Sequence, residues 1–330
     1  MEVLVTGGGG FIGRYIAEQL IARGDTVSIF ARGDYPELKK IGIRSIRGDL
    51  TDSEAIRQAC AGMDIVYHIA AKPGVWGSWE SFYQPNVIGT ENMIAACRSQ
   101  KVPKLIFTSS PSVVFGNRSH EGVDESVPYP KKYENFYSHT KAIAEQKIIQ
   151  ANDANLLTVS LRPHLVIGPR DPHLIPRLIQ RAISGKLIQV GNGENRIDLT
   201  YVEDAARAHL LAADSLRPGS PTAGSVYFIS QGEPVNLWEW IQELLNKLGL
   251  PPIKRKISLS AARMIGASME FGYGLFRIKG EPRMTRFLAC ELAMSHYYDI
   301  SRAKQDFGFE PRFSMKEAVD KLLASLELKM

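Results

Sequence analysis

Short runs rich in Val, Ile and Leu alternate, in the first half of the chain, with segments in which apolar residues recur every three or four positions. The runs lie at Val3–Thr6, Val27–Phe30, Arg44–Arg47, Asp64–His68, Leu105–Thr108 and Leu157–Leu161. The amphipathic segments lie at Phe11–Ala22, Ser53–Cys60, Thr90–Ser99 and Tyr137–Gln150. Nearly continuous apolar runs are typical of strands covered on both faces. Their alternation with helices predicts an α/β fold with a doubly wound parallel sheet.

The pattern changes after about residue 165. Proline and glycine cluster at 163–176, 217–224 and 251–252. Amphipathic segments near 174–184, 203–215, 237–249 and 314–327 are mixed with short apolar runs such as Val226–Ile229. We expect residues 1–165 to form the main sheet and residues 166–330 to form mainly a smaller mixed lobe that binds substrate. Elements near 200–230 are expected to return to the main sheet.

Composition narrows the class of protein. Of 330 residues, 44% are hydrophobic and 23% are charged, which is ordinary for a globular chain. The net charge is +5, but the basic residues are spread without a run of five, so we expect no nucleic-acid partner. A basic cleft for an anionic cofactor or substrate explains the excess. No stretch of 18 apolar residues exists, so no transmembrane helix is expected, and peripheral membrane contact stays open.

Cysteine and histidine spacing indicates neither a disulfide framework nor a metal site. Cys60, Cys97 and Cys290 form no CxxC pair and lie in apolar helical surroundings, which predicts buried thiols in a reducing cytoplasm. His164 and His173 flank the sixth predicted strand without a second ligand spacing, so no metal is expected. The first predicted strand begins beside Met1, so we expect a soluble cytoplasmic protein without a signal peptide.

A glycine-rich turn follows the first predicted strand. Glycine stands at positions 7, 8, 9, 10 and 13, and both GxxGxxG and GxGxxG registers fit. Gly7 makes the tight turn, Gly10 lets a pyrophosphate approach the backbone, and Gly13 lets the helix pack against the strand. This context predicts a Rossmann dinucleotide site, with a tight turn that binds nothing as the alternative. The phosphates are then held by the unpaired N–H groups at the start of the helix, at Phe11, Ile12 and Gly13.

The end of the second predicted strand favours NADP(H) over NAD(H). An acidic residue at this place binds the ribose 2′-hydroxyl of NAD, but Ala31 occupies it and Arg32 follows. An arginine suits a 2′-phosphate. Asp34 lies just beyond and still allows NAD. After the third predicted strand, Asp49 either accepts a hydrogen bond from the adenine amine or caps the helix that begins near Ser53.

A Tyr-x-x-x-Lys pair indicates chemistry. Tyr137 and Lys141 stand at i and i+4 of a predicted helix, so their side chains share a face. An ammonium beside a phenol is expected to lower its pKa and allow proton exchange with a substrate oxygen near neutral pH. Ser110 follows the strand Leu105–Thr108, where its hydroxyl is expected to point into the ligand crevice and bond a carbonyl oxygen. The three residues predict hydride-transfer chemistry at a secondary alcohol or ketone.

Together these motifs resemble the extended short-chain dehydrogenase/reductase superfamily over nearly the whole chain. The segments that carry the resemblance are Thr6–Gly13, Gly48–Leu50, His68–Ala71, Asn86–Thr90, Thr108–Ser110, Tyr137–Lys141, Arg162–Pro163, Gly168–Pro169 and Tyr201–Ala205. The resemblance implies a Ser110–Tyr137–Lys141 triad, an Asn86 that supports the active-site helix, and a homodimer. It also implies that the cofactor is contacted at Leu50, Ala70, Ala71 and Pro163.

Other stretches resemble the 3β-hydroxysteroid dehydrogenase-like branch. The loop Lys72–Gly77, and Phe30–Arg32 followed by Tyr35–Pro36, are similar to bacterial 2-alkyl-3-oxoalkanoate reductases. Glu281–Arg286, His296–Asp299 and Gly308–Pro311 resemble the C-terminal segment of steroid dehydrogenase relatives. Residues 257–276 are apolar, and either cover a lipid-like substrate or form an ordinary helix, dimer face or membrane face.

The sequence therefore predicts an NAD(P)-dependent oxidoreductase that reduces a β-keto acid or oxidises a 3β-hydroxy lipid. Nucleotide-sugar epimerisation with bound NAD is the alternative on the same fold. A non-catalytic NAD(P)-sensing protein is the alternative of another class.

Overall fold

The computed structural model describes residues 1–116 and 118–327. Its strands are β1 Glu2–Thr6, β2 Thr26–Ala31, β3 Arg44–Arg47, β4 Ile65–His68, β5 Lys104–Thr108, β6 His120–Val123, β7 Leu157–Pro163, β8 Val166–Ile167, β9 Gln189–Val190, β10 Arg196–Ile197, β11 Thr200–Tyr201, β12 Val226–Ile229, β13 Val235–Asn236, β14 Lys256–Ile257 and β15 His296–Tyr298.

Helices connect most of these strands. They are α1 Phe11–Arg23, α2 Pro36–Lys39, α3 Ser53–Ala59, α4 Trp79–Tyr83, α5 Gly89–Ser99, α6 Phe136–Gln150, α7 Leu174–Ile183, α8 Val202–Ser215, α9 Leu237–Lys247, α10 Leu259–Leu275, α11 Arg286–Ala293, α12 Ser301–Phe307 and α13 Met315–Glu327. A π-helical turn at Gln84–Ile88 joins α4 to α5, and a 3₁₀ turn at Pro111–Val113 follows β5.

Seven parallel strands form the central sheet, in the order β3-β2-β1-β4-β5-β7-β12. All four residues of β4 and all seven of β7 are buried, as expected of strands covered on both faces by helices. The ends of β1 and β4 are in register, with Thr6 opposite His68. The predicted Rossmann-type α/β fold is confirmed, and the carboxyl ends of the central strands meet along one edge.

A smaller four-stranded sheet of mixed direction has the order β13-β10-β15-β6. Its lobe is packed around the buried indoles of Trp238 and Trp240 and the aliphatic side chains of α9. The chain crosses between the lobes more than once, because β6 joins this sheet while β12 returns to the central one. The two-residue pairs β8–β11 and β9–β14 complete the sheet structure.

The apolar segment at 257–276 forms β14 and α10, and much of the helix faces outward. Phe271 and Leu275 are exposed, as is Phe276 directly after the helix. The Tyr273 ring contacts the Trp76 ring edge-on, which places the helix against the loop that follows β4. In the described part of the chain, no helix is both long and apolar enough to cross a membrane. Cys60, Cys97 and Cys290 are buried, as predicted.

Candidate active site

The glycine turn joins β1 to α1 at the carboxyl edge of the central sheet. Gly7 adopts φ +68°, and its carbonyl accepts a 2.8 Å hydrogen bond from the N–H of Gly10. A Cβ at Gly13 would overlap that carbonyl, and a Cβ at Gly7 would lie 2.9 Å from the Cα of Ala70. Glycine is therefore required at Gly7 by conformation and at Gly13 by packing, as the dinucleotide motif demands.

The start of α1 fits a dinucleotide pyrophosphate. Gly10 is its N-cap and offers no side chain, so the N–H groups at Phe11, Ile12 and Gly13 lack a side-chain acceptor. Such N–H groups, with the helix dipole, form an anion site. The Tyr35 ring lies over Gly9, where a Cβ would overlap it, and so forms the outer wall of the turn. Sequence reasoning assigned no role to this aromatic side chain.

Arg32 and Asp49 lie at the ends of neighbouring strands. The Arg32 side chain is exposed after β2, and its charge contributes to lowering the pKa of Asp49. Larger contributions to that lowered pKa come from the N–H and hydroxyl of Thr51, which bond Asp49 at 2.9 and 2.8 Å. The suggestion that Asp49 caps α3 is wrong, because Asp52 accepts from the N–H of Ala55 at 3.0 Å.

The remaining residues predicted to contact the cofactor have different surroundings in the structure. The N–H of Ala70 donates to Thr6 Oγ1 at 3.1 Å, which ties the end of β4 to the end of β1, and Ala71 follows it. Pro163 ends β7 and lines the cavity described below. The Leu50 side chain is buried and packs beside Gly89, so its role in that place is packing.

Ser110 lies one residue beyond the buried Ser109 that follows β5. Its hydroxyl accepts from the N–H of Ser112 at 3.2 Å and so begins the 3₁₀ turn. The same hydroxyl lines a cavity together with Tyr137. The structure thus brings two members of the predicted triad to one wall.

Tyr137 is the second residue of α6, whose N-cap Asn135 accepts from the N–H of Ser138 at 2.7 Å. Burial raises the pKa of Tyr137 to about 12, the hydrogen bond with Ser110 lowers it, and the charge of Glu291 raises it. The expected lowering of the phenol pKa is therefore wrong for this arrangement. Desolvation penalises the phenolate more than the nearby donor stabilises it.

Lys141 is buried one turn further along α6. Its ammonium donates to the Thr108 carbonyl at 2.6 Å and lies 3.9 Å from the centre of the Phe107 ring. Burial lowers the pKa of Lys141 to about 7, against the opposing charge of Glu145. A lysine with that pKa is only partly charged at neutral pH, which is one reason why it does not lower the phenol pKa.

Two buried polar groups hold α6 in place. Asn86 accepts from the N–H of Lys72 at 2.7 Å and donates to Thr140 Oγ1 at 3.1 Å, so it joins the loop after β4 to the catalytic helix. Glu145 and Arg162 form a two-point ion pair, at 2.6 and 2.9 Å, that links α6 to β7. The sequence suggested the Asn86 contact only through the family resemblance, and it did not suggest the ion pair.

A cavity of about 300 Å³ opens beside Ser110 and Tyr137. Its apolar lining includes Val75, Phe115 and Phe287, and its polar lining comes from residues of both the central sheet and the smaller lobe. The polar residues are Ser112, His164, His173, Arg177, Glu281, Glu291, His296 and Tyr298. Of these ionisable residues, the sequence analysis considered only His164 and His173 as possible metal ligands, and their spacing predicted no metal site. Among the described residues no group of three metal-ligating side chains exists.

Helix α10, Trp79 and Arg196 lie outside this cavity. Its lining contains no residue of α10, so the idea of an α10 lid over the substrate is not supported here. Trp79 packs on Phe136 and His139, which gives it a packing role. Arg196 is exposed, donates to the Pro234 carbonyl at 3.0 Å and lies over the Tyr297 ring.

Relatives cover the whole length of the chain. A family model described as the 3-beta hydroxysteroid dehydrogenase/isomerase family matches residues 4–260. A "2-alkyl-3-oxoalkanoate reductase" of Stenotrophomonas maltophilia is 47% identical over 329 residues, 98% of this chain and 99% of that protein. A mouse "sterol-4-alpha-carboxylate 3-dehydrogenase, decarboxylating" is 35% identical over 97% of this chain and 90% of its own length.

Solved structures share the fold. MoeE5 in complex with UDP-glucose and NAD superposes with a TM-score of 0.76 and 27% identity, over 100% of this chain and 99% of that one. The protein gox2253 superposes with a TM-score of 0.80 and 27% identity, over 99% and 98%. Matches of this extent, on a chain with this glycine turn and triad, identify an NAD(P)-dependent oxidoreductase that belongs to the 3-beta hydroxysteroid dehydrogenase/isomerase family.

Proposed function

We propose that the protein interconverts a ketone and a secondary alcohol on a lipid-like carboxylic acid, as a β-keto acid reductase or 3-hydroxy acid dehydrogenase. The observation that carries the proposal is that Ser110 and Tyr137 share one wall of a largely apolar cavity. Two relatives, an oxoalkanoate reductase and a sterol carboxylate dehydrogenase, support this substrate class by their names. In both names a carboxylate accompanies the reacting oxygen.

The three residues divide the chemistry. A nicotinamide cofactor, which the glycine turn at Gly7, Gly10 and Gly13 would hold, would supply hydride-transfer chemistry in either direction. Tyr137 gives its phenolic proton to the oxygen, and Ser110 donates a hydrogen bond to that oxygen as negative charge develops. Lys141 holds the Thr108 carbonyl and, with an ammonium that titrates near neutral pH, returns the proton to the phenolate.

We also propose that NADP(H) is preferred. Ala31 stands where an acidic side chain would bind the ribose hydroxyls of NAD, and the exposed guanidinium of Arg32 lies beside it. Its planar fork suits bidentate bonding to a 2′-phosphate. Asp34, the remaining acidic residue on this loop, is ion-paired with Lys39 at 2.7 Å.

Replacing Tyr137 by Phe tests the mechanism. The variant keeps the ring that contacts Phe82 but loses the proton donor, so turnover of a long-chain β-keto acid should fall by at least a hundredfold. NADPH affinity, measured by fluorescence titration, should stay within about threefold. Tyr83→Phe is the matched control, since it removes a hydroxyl from a ring that packs at a tilt against Trp79 and should leave turnover unchanged. Full turnover in Tyr137→Phe refutes the proposal.

Nucleotide-sugar epimerisation is the second candidate, favoured by the likeness to a UDP-glucose complex. It predicts tightly held NAD and no net cofactor consumption with UDP-sugars. The cavity lining weighs against it, because Arg177 in that lining is already ion-paired with Glu281 at 3.0 Å and would have to leave this pair to bind a diphosphate. A spectrophotometric assay with a long-chain β-keto acid and with UDP-glucose separates the two functions.

A further inference from the structure

A chain of hydrogen-bonded ionisable residues lies at the cavity that Ser110 and Tyr137 line. Asp198 Oδ1 lies 2.5 Å from His164 Nδ1, His164 Nε2 lies 3.1 Å from His296 Nδ1, and His296 Nε2 lies 2.8 Å from the Glu291 carbonyl. His164, His296 and Glu291 also line the cavity. The triad chemistry uses none of them.

Donors and acceptors fix the protons along this chain. The Glu291 carbonyl only accepts, so His296 Nε2 must carry a hydrogen. Burial lowers the pKa of His296 to about 3, so the ring is neutral and its Nδ1 accepts from His164 Nε2. The carboxylate of Asp198 accepts at His164 Nδ1. His164 therefore lies between His296 on one ring nitrogen and the Asp198 carboxylate on the other.

The Glu291 carboxyl faces the same cavity and has unused bonding capacity. Burial raises the pKa of Glu291 to about 7, the charge of His164 opposes this rise, and no hydrogen bond contributes within the described chain. At neutral pH a large fraction of this carboxyl is protonated. In that form it offers an O–H donor to whatever enters the cavity.

A carboxylate is the ligand that satisfies this wall. It would accept from the protonated Glu291, as two carboxyl groups sharing one proton do elsewhere, and it would lie beside the His164 ring that lines the same cavity. An ionised Glu291 would instead place two like charges together. We propose that Glu291 and His164 form a subsite for the carboxylate of a 3-oxo or 3-hydroxy acid, with Glu291 as the proton-bearing ligand.

This subsite deepens the proposed function and rests on it. Tyr137 and Glu291 line the same cavity of about 300 Å³, and the charge of Glu291 acts on the Tyr137 phenol, so we expect the carboxylate to lie close to the reacting oxygen. That placement selects acids whose oxygen is at the β position. The apolar side chains of Val75, Phe115 and Phe287 are left for the alkyl or ring portion of the substrate.

Titratable and charged groups surround Glu291 on the neighbouring elements. The titratable and charged groups on the surrounding elements are Tyr137 on α6, His120 on β6, His164 after β7, His173 and Arg177 at α7, Asp198 before β11, Arg263 on α10, Glu281 before α11, and His296 and Tyr298 on β15. Glu281 is already ion-paired with Arg177 at 3.0 Å. His296 remains neutral over the range in which Glu291 titrates.

The test compares 3-hydroxydecanoate with its methyl ester as substrates, with NADP⁺, from pH 5.5 to 8.5. For the wild type, the KM for the acid should rise by about tenfold per pH unit above pH 7, relative to the KM for the ester. Glu291→Gln keeps a donor of the same size, so this extra rise should disappear. Glu291→Leu removes the donor, so the KM for the acid should rise ten- to a hundredfold while the KM for the ester changes little.

Glu243→Gln, which removes an exposed carboxyl on α9, is the matched control and should behave as wild type. A KM for the acid that follows the ester at every pH overturns the subsite, even when no variant can be purified. Calorimetric binding of 3-hydroxydecanoate is measured in parallel. If binding of the acid depends on pH but neither compound is turned over, the subsite is supported and the proposed function is refuted. If both compounds are turned over but binding of the acid does not depend on pH, the proposed function is supported and the subsite is refuted.

Discussion

The ion pair between Glu145 on α6 and Arg162 on β7 makes a sharp prediction about stability. Glu145 is fully buried, Arg162 is 2% exposed, and the two are joined by hydrogen bonds of 2.6 and 2.9 Å. The carboxylate also accepts from the Tyr129 hydroxyl at 2.6 Å and from Ser160 Oγ at 3.2 Å. Removing one charge leaves the other buried without its counter-charge.

The magnitude follows from this burial. Breaking a buried pair at one partner costs about 3–5 kcal/mol, whereas replacing both partners by uncharged groups of similar volume is often neutral. Arg162→Met and Glu145→Gln should each lower the free energy of unfolding by that amount. The double variant should lose much less than the sum. A loss of this size is a large part of the roughly 5–15 kcal/mol that stabilises a typical domain.

Urea unfolding followed by circular dichroism measures the three free energies, and a double-mutant cycle gives the coupling between the residues. The exposed pair Arg57–Glu54, at 2.7 Å, is the control, and Glu54→Gln should cost less than about 1 kcal/mol. A loss below 1 kcal/mol in both single variants, or fully additive losses in the double variant, would show that the pair does not hold α6 to β7.

Two further predictions concern the cofactor and the lysine. Arg32→Ser should weaken NADPH binding about ten- to a hundredfold, because the charge-assisted bonds to the 2′-phosphate are lost, and should leave NADH binding nearly unchanged. Equal weakening of NADPH and NADH binding in a fluorescence titration would contradict the NADP(H) assignment. Burial lowers the pKa of Lys141 to about 7, so between pH 7 and 9.5 the unfolded chain binds a proton that the folded chain has lost. Stability of the wild type relative to Lys141→Met should therefore rise with pH in that window, by at most about 1.4 kcal/mol per unit, and stay constant below it. A relative stability that stays constant between pH 7 and 9.5 would show that the folded protein keeps Lys141 charged.

The sequence by itself determined the central sheet, because strands that are covered on both faces consist of nearly continuous runs of apolar residues. The glycine turn could also be predicted from the sequence, because local conformation requires glycine at Gly7 and close packing requires it at Gly13. The positions of Ser110 and Tyr137 also follow from the sequence, because residues at the carboxyl ends of parallel strands, and at the helix starts beside them, meet at one edge.

Only the tertiary structure decided which charged groups lie in contact and how far burial shifts their pKa values. The β6 strand has four residues with no apolar alternation, and it is set by pairing with β15 more than 170 positions away. The partners Asp198, His164, His296 and Glu291 come from four separate segments, and periodicity records burial without recording partners. The pKa of Tyr137 was misjudged for the same reason. Helix spacing gives the distance to Lys141, whereas desolvation depends on everything that surrounds the phenol.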